Sequence, residues 1–171
     1  MALSLVSERD VVREHSAASL QEKSDLLGSL QHARTQAVTG GLAYAGSVPP
    51  ELAWKLFQAG QALLIDVRTP EELSYVGRVP GAMHLAWATG TAQLRNPRFV
   101  RELESKVPKD AIVLFLCRSG KRSAAAAEAA TKAGYASAFN ILEGFEGDLD
   151  ERRRRGGLGG WRHRDLPWIQ D

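Results

Sequence analysis

The sequence holds a single cysteine, Cys117, among its 171 residues. That scarcity excludes an internal disulfide, leaves no cysteine cluster for zinc, and denies any sulfur chemistry a resolving partner in the same chain. Long apolar runs are also missing. The longest, Ala111 to Cys117, falls far short of the ~20 residues that a membrane-spanning helix needs, so no membrane association is expected. The opening MALSLVSERD places no Lys or Arg ahead of a short apolar stretch and meets acid at once. This differs from a secretory signal peptide, and a cytoplasmic location is expected. Internal repeats and low-complexity tracts are absent, and the net charge is only +2. Hydrophobic residues at 44% and charged residues at 25% are ordinary globular values, which removes support for disordered, collagen-like and coiled-coil classes. At ~100–200 residues per domain, the length accommodates one compact core with a short appendage.

The small net charge is unevenly spread. Residues 151–171 carry arginines at 152 to 155, 162 and 164 against Glu151, Asp165 and Asp171, so this tail is +3 and the remainder −1. No aromatic platform or nucleic-acid-binding pattern accompanies the run Arg152 to Arg155. It reads as a solvated loop, with no nucleic-acid partner.

Along the chain, Leu26, Leu27, Leu30, Ala33 and Ala37 recur at helical spacing before Gly40 and Gly41. The pattern predicts a helical N-terminal extension, residues 1–44, that packs on the domain or a partner rather than folding alone. Residues 45–171 form the expected main domain. Pro49 to Ala59 reads as an amphipathic helix with Leu52, Leu56 and Phe57 on one side and Gly60 at its end. Ala62 to Val67 is an apolar run interrupted by Asp66, suited to a strand buried on both faces. Thr69-Pro-Glu-Glu72 starts a helix, Ala82 to Trp87 is a second strand, and Asn96-Pro97 caps a helix to about Lys106. Ala111 to Cys117 is the clearest buried strand; the alanine-rich helix Ser123 to Ala133 and a strand over Ala136 to Leu142 follow. Alternating strands and helices predict an α/β fold, an open parallel sheet flanked by helices.

The loop Cys117-Arg-Ser-Gly-Lys-Arg122 therefore lies at the carboxyl edge of the sheet, where open α/β folds bind ligands. Arg118, Lys121 and Arg122 bring three cations and no acid, and the helix behind them adds free amides and a partial positive charge. Such surroundings favour a thiolate and can lower a cysteine pKa by ~1–5 units. Gly120 lets the backbone curl so that successive amides converge on an anion. A lone cysteine at a strand end is often only a buried hydrophobe. A structural cysteine, however, has no need of three cations and a Gly-centred turn. Asp66 and Arg68, ending the first core strand, and Glu72 beyond them read as support at the site edge. His84 reads as a structural side chain, and Trp87, Trp161 and Trp168 as core or cover more than as pocket walls.

Several blocks, in this order, resemble the rhodanese (thiosulfate sulfurtransferase) superfamily, single-domain type, from about Val48 to Trp168. They are LLIDVRTPEEL (63–73), GRVPGAMHL (77–85), CRSGKRS (117–123), NILEGFEGD (140–148) and GGWRHRDLPW (159–168). The closing block departs from the usual pattern, because Glu146 to Gly160 intervenes where many members pass directly from a Gly-Gly turn to a Trp. The resemblance implies a sulfurtransferase in which Cys117 is the nucleophile and becomes a persulfide. The backbone of Arg118, Ser119, Gly120, Lys121, Arg122 and Ser123 would hold the terminal sulfur, and Arg118 and Lys121 would attract thiosulfate or another anionic sulfane donor. With no second cysteine, the acceptor is external: a thiol, cyanide or a sulfur-carrier protein. No metal and no organic cofactor are implied. Phosphatase and arsenate-reductase relatives have five residues between Cys and Arg; the four here, Arg118 to Lys121, give a tighter cradle that suits sulfur. A non-catalytic binding module is the other alternative, though such members usually lack the cysteine.

Overall fold

The computed structural model describes residues 8–170, with side chains from residue 20 onward. A five-stranded sheet, parallel throughout, is built from β1 (Gly46–Val48), β2 (Leu63–Asp66), β3 (Met83–His84), β6 (Val113–Leu116) and β7 (Ala138–Ile141) in the order β1-β7-β6-β2-β3. The short antiparallel pair β4 (Ala88–Thr89) and β5 (Leu94–Arg95) stands apart from it. All residues of β6 and β7 are buried, as expected when helices cover both faces of a parallel sheet.

Alternating side chains sort into two cores. Leu64, Leu114, Leu116, Phe139 and Ile141 face α1 (Glu8–Thr39) and α2 (Pro50–Gln58), together with Trp161. Ile65, Val113, Phe115 and Ala138 face α4 (Phe99–Lys106) and α5 (Lys121–Lys132), where Ala126, Ala127 and Ala130 pack against the sheet. Their small side chains let α5 lie close to β6 and β7. α3 (Pro70–Val76) starts from the Thr69-Pro-Glu-Glu72 signal. Thr69 Oγ1 accepts from the Glu72 N–H, and Glu72 Oε2 accepts from the Thr69 N–H, a reciprocal capping box.

The expected α/β sheet with an N-terminal helix is therefore present, with local corrections. Leu26, Leu30, Ala33 and Ala37 of α1 are buried, whereas Leu27 is 46% exposed and lies off the packing stripe. Residues 1–7 of the expected extension lie outside the described residues. The strand anticipated over 82–87 shrinks to Met83–His84, although Leu85 and Trp87 still donate to Asp66 O and Val67 O. α4 begins at Phe99 instead of Asn96, because Asn96 Oδ1 accepts from the Arg98 N–H in a turn preceding the helix. α5 begins at Lys121, two residues ahead of the expected Ser123. β1, β4 and β5 had no expectation; each is three residues or fewer, too short for a hydrophobic period. Among the described residues no helix is long and apolar enough to cross a membrane.

Candidate functional site

β6 delivers Cys117 to the carboxyl edge of the sheet between β2 and β7. The chain then turns through Arg118 and Ser119 to Gly120, which caps α5 in a left-handed conformation (φ 89°) that glycine adopts without strain. The carbonyls of Cys117 and Arg118 are occupied from behind by the N–H groups of Phe145 (2.7 Å) and Glu146 (2.9 Å). By contrast, the N–H groups of residues 118–123 have no protein acceptor among the described residues. The loop thus turns its acceptors inward and keeps its donors free, as an anion-binding turn at a helix N-terminus requires.

Gly144 makes this bracing possible. A Cβ there would lie 2.5 Å from Cys117 O and 2.6 Å from Arg118 C and Ser119 N, and its φ of +65° is one that side chains rarely adopt. The block NILEGFEGD is therefore a backbone buttress for the sulfur loop. Its Asn140 has a further contact. Ser123 Oγ lies 3.2 Å from Cys117 Sγ and 2.6 Å from Asn140 Oδ1. Asn140 Nδ2 in turn donates to Ser47 Oγ (3.4 Å) on the neighbouring β1. Asn140 was not among the residues expected at the site; its polarity inside a fully buried strand was the available signal.

Cys117 is 1% exposed, yet it forms the floor of a cleft of about 570 Å³. Arg118, Ser119, Lys121 and Arg122 line that cleft, joined by Gln93 from the β4–β5 turn and by Asp148, Leu149 and Arg155 from the insertion. Of the expected binding residues, Gly120 and Ser123 do not line it; Gly120 caps the helix and Ser123 contacts the sulfur.

The three loop cations are not equivalent. Arg122 is held by Glu72 through Nη1 to Oε2 at 2.7 Å and Nη2 to Oε1 at 2.6 Å. Burial works against the charge of both groups, but the mutual hydrogen bonds and fields outweigh it. Glu72 is held below the usual carboxyl range, with help from the Thr69 N–H and Arg68, and Arg122 is pushed above the usual guanidinium range, in part by the nearby Cys117 and Asp66. Arg122, expected among the binding residues, lines the cleft, but its charge is matched by Glu72. Arg118 and Lys121 have no ion-pair partner among the described residues, and Arg118 Nε is buried without a hydrogen bond.

Asp66 and Arg68 do not line the cleft. Both are buried; Arg68 Nη2 meets Asp66 Oδ2 at 2.6 Å, donates to Gly77 O at 2.8 Å, and its Cζ sits 4.0 Å from the Phe145 ring centroid. Their place is inside the fold, tying β2 to the turn after α3 and to the buttress. His84 Nε2 hydrogen-bonds Arg68 O (2.9 Å). Trp87, Trp161 and Trp168 are also absent from the cleft. Trp161 is fully buried, Trp87 packs on Phe99, and Trp168 covers Phe145 edge-on.

The comparisons with known proteins agree with this architecture. The crystal structure of Rv0390 from M. tuberculosis is 42% identical, superposes with a TM-score of 0.68, and covers 75% of this chain and 99% of that one. An uncharacterized protein of Rickettsia rickettsii, an RP600 homolog, is 36% identical over 119 residues, which is 66% of this chain and 87% of that protein. The thiosulfate sulfurtransferase GlpE of Actinobacillus succinogenes is 32% identical over 100 residues, 58% of this chain and 80% of its own length. The family profile for the rhodanese-like domain matches residues 49–151, ending inside the insertion. The chain belongs to the rhodanese-like domain family.

Proposed function

We propose that the protein is a sulfurtransferase that carries sulfane sulfur on Cys117, accepting it from thiosulfate or a similar anionic donor. The observation that carries this reading is the position of the only cysteine. It lies at the floor of a cleft with unpaired amides beside it and two uncommitted cations, Arg118 and Lys121, on its wall. The named relative that uses thiosulfate adds support for the donor.

In the first half-reaction the Cys117 thiolate attacks the outer sulfur of thiosulfate. A new S–S bond forms, the donor's S–S bond breaks, and sulfite departs with that electron pair. Arg118 and Lys121 steady the departing anion, and the free N–H groups of residues 118–123 receive the negative terminal sulfur of the persulfide. In the second, an external nucleophile attacks that terminal sulfur and regenerates the thiolate. Cyanide would leave as thiocyanate; in the cell a thiol or a sulfur-carrier protein would take this part.

The test is intact mass before and after thiosulfate, then after cyanide. A gain of one sulfur atom that cyanide removes, and that Cys117→Ser lacks, is expected. Sulfur uptake by the folded serine variant would refute the assignment of Cys117. No adduct on the wild-type protein with any sulfane donor would refute the reading itself.

A further inference from the structure

The insertion from Glu146 to Gly160 is an ordered loop. Gly156 N–H donates to Glu146 O (2.9 Å) and closes it, and Asp150 N–H donates to Arg154 O (2.8 Å). Asp150 Oδ1 also accepts from the N–H groups of Arg152 and Arg154 at 2.9 and 2.7 Å. This folding separates the arginine run. Arg152, Arg153 and Arg154 are exposed, while Arg155 turns inward, donates from Nη1 to Gly147 O at 2.6 Å, and joins the cleft wall around Cys117. No carboxylate pairs with Arg155 among the described residues.

We propose that Arg155 is a specificity-determining cation of the sulfur-donor site, supplying an unmatched charge there that Arg122, paired with Glu72, does not. This rests on the sulfurtransferase reading of the same cleft. Arg118 and Lys121 come from the sulfur loop, and Arg155 adds a third uncommitted charge from the inserted loop. Asp148 is the one carboxylate among the lining residues, and it has no ion-pair partner among the described residues. The balance favours a small donor that carries two negative charges. Thiosulfate, a dianion, fits better than a monoanionic thiosulfonate. Asp148 opposes the same ligand, so the two residues act in opposite directions on one preference.

The test measures the second-order rate of persulfide formation by intact mass with thiosulfate and with methanethiosulfonate. It also measures protection of Cys117 from iodoacetamide by sulfite, which requires no sulfur transfer. Arg155→Ala is expected to slow the thiosulfate reaction and weaken sulfite protection by about three- to tenfold, with a smaller effect on methanethiosulfonate and a deficit that narrows at high salt. Arg155→Lys should retain most of the wild-type behaviour, Asp148→Asn should shift both readouts the opposite way, and Arg152→Ala should change neither. Unchanged rates in Arg155→Ala, an equal loss for both donors, or a lysine variant as poor as the alanine one would overturn the role of Arg155 and leave sulfur transfer intact. Sulfite protection that depends on Arg155, without persulfide formation by the wild-type protein, would sustain the anion site and remove the sulfurtransferase reading. Neither protection nor persulfide would overturn both.

Discussion

Glu72 grips both terminal nitrogens of Arg122, at 2.6 and 2.7 Å, across fifty positions of sequence. The pair joins the first turn of α3 to the first turn of α5, so the end of the sulfur loop is clamped to the capping box of another helix. Its Oε2 also accepts from the Thr69 N–H, and one carboxylate thereby serves both contacts.

Replacing Glu72 with Gln keeps an oxygen for the Thr69 N–H but removes the charge that Arg122 faces. Loss of a charged hydrogen bond at a mostly covered site should cost about 1–3 kcal/mol. The pH dependence has a definite sign. Because the folded protein holds the Glu72 carboxyl below its ordinary range, its contribution is complete above the ordinary carboxyl pKa and is lost as pH falls through the folded value. Thermal unfolding from pH 3 to 7 should show a flatter acid limb for Glu72→Gln than for wild type. Parallel curves would show that the pair contributes no proton-linked stability.

Gly144→Ala addresses the buttress. Its Cβ would meet backbone atoms of Cys117, Arg118 and Ser119 at 2.5–2.6 Å, and backbone does not swing aside as a long side chain does. The added left-handed strain is about 1–3 kcal/mol, at ~2–4 °C of melting temperature per kcal/mol for a chain of this size. Persulfide formation should fall by at least about tenfold because the loop amides are displaced, even at temperatures where the variant is fully folded. Wild-type sulfur uptake by a folded Gly144→Ala protein would show that the loop does not depend on this close approach.

The site was more legible in the sequence than its supports. The loop 117–123 is contiguous, so its cysteine, cations and glycine could be read together, and the apolar run before it located β6. The Thr69-Pro-Glu-Glu72 cap is likewise local. The partnership of Glu72 with Arg122 depends on strand order, and no periodicity in either segment reports it. Asp66 and Arg68 follow the same logic. Two charged residues at a strand end resemble a site edge, but Arg68 curls back onto Asp66 and Phe145 and both are buried. In α1 the helical period identified the stripe that packs but included Leu27, because a stripe read at i, i+1 spacing cannot show which neighbour faces inward. Arg155 was concealed in a run of four arginines, where composition indicated solvent and only the closure of the loop by Gly156 and Glu146 distinguishes one member.

Ser123 has one hydroxyl proton and two acceptors, Cys117 Sγ at 3.2 Å and Asn140 Oδ1 at 2.6 Å. A neutral thiol leaves that proton to Asn140, whereas a thiolate attracts it, so Asn140 sets how readily Ser123 stabilises the charged sulfur. Ser123→Ala removes the donor and should slow alkylation of Cys117 at neutral pH several-fold. Asn140→Asp places a carboxylate where it competes for the proton and repels the thiolate, and should slow the same alkylation. The rate of iodoacetamide reaction with this sole cysteine at neutral pH reads both variants, with circular dichroism confirming the fold. If burying the aspartate costs too much stability, Ser123→Ala still decides the matter. An unchanged alkylation rate in that variant would mean the hydroxyl belongs to Asn140 and contributes nothing to the sulfur.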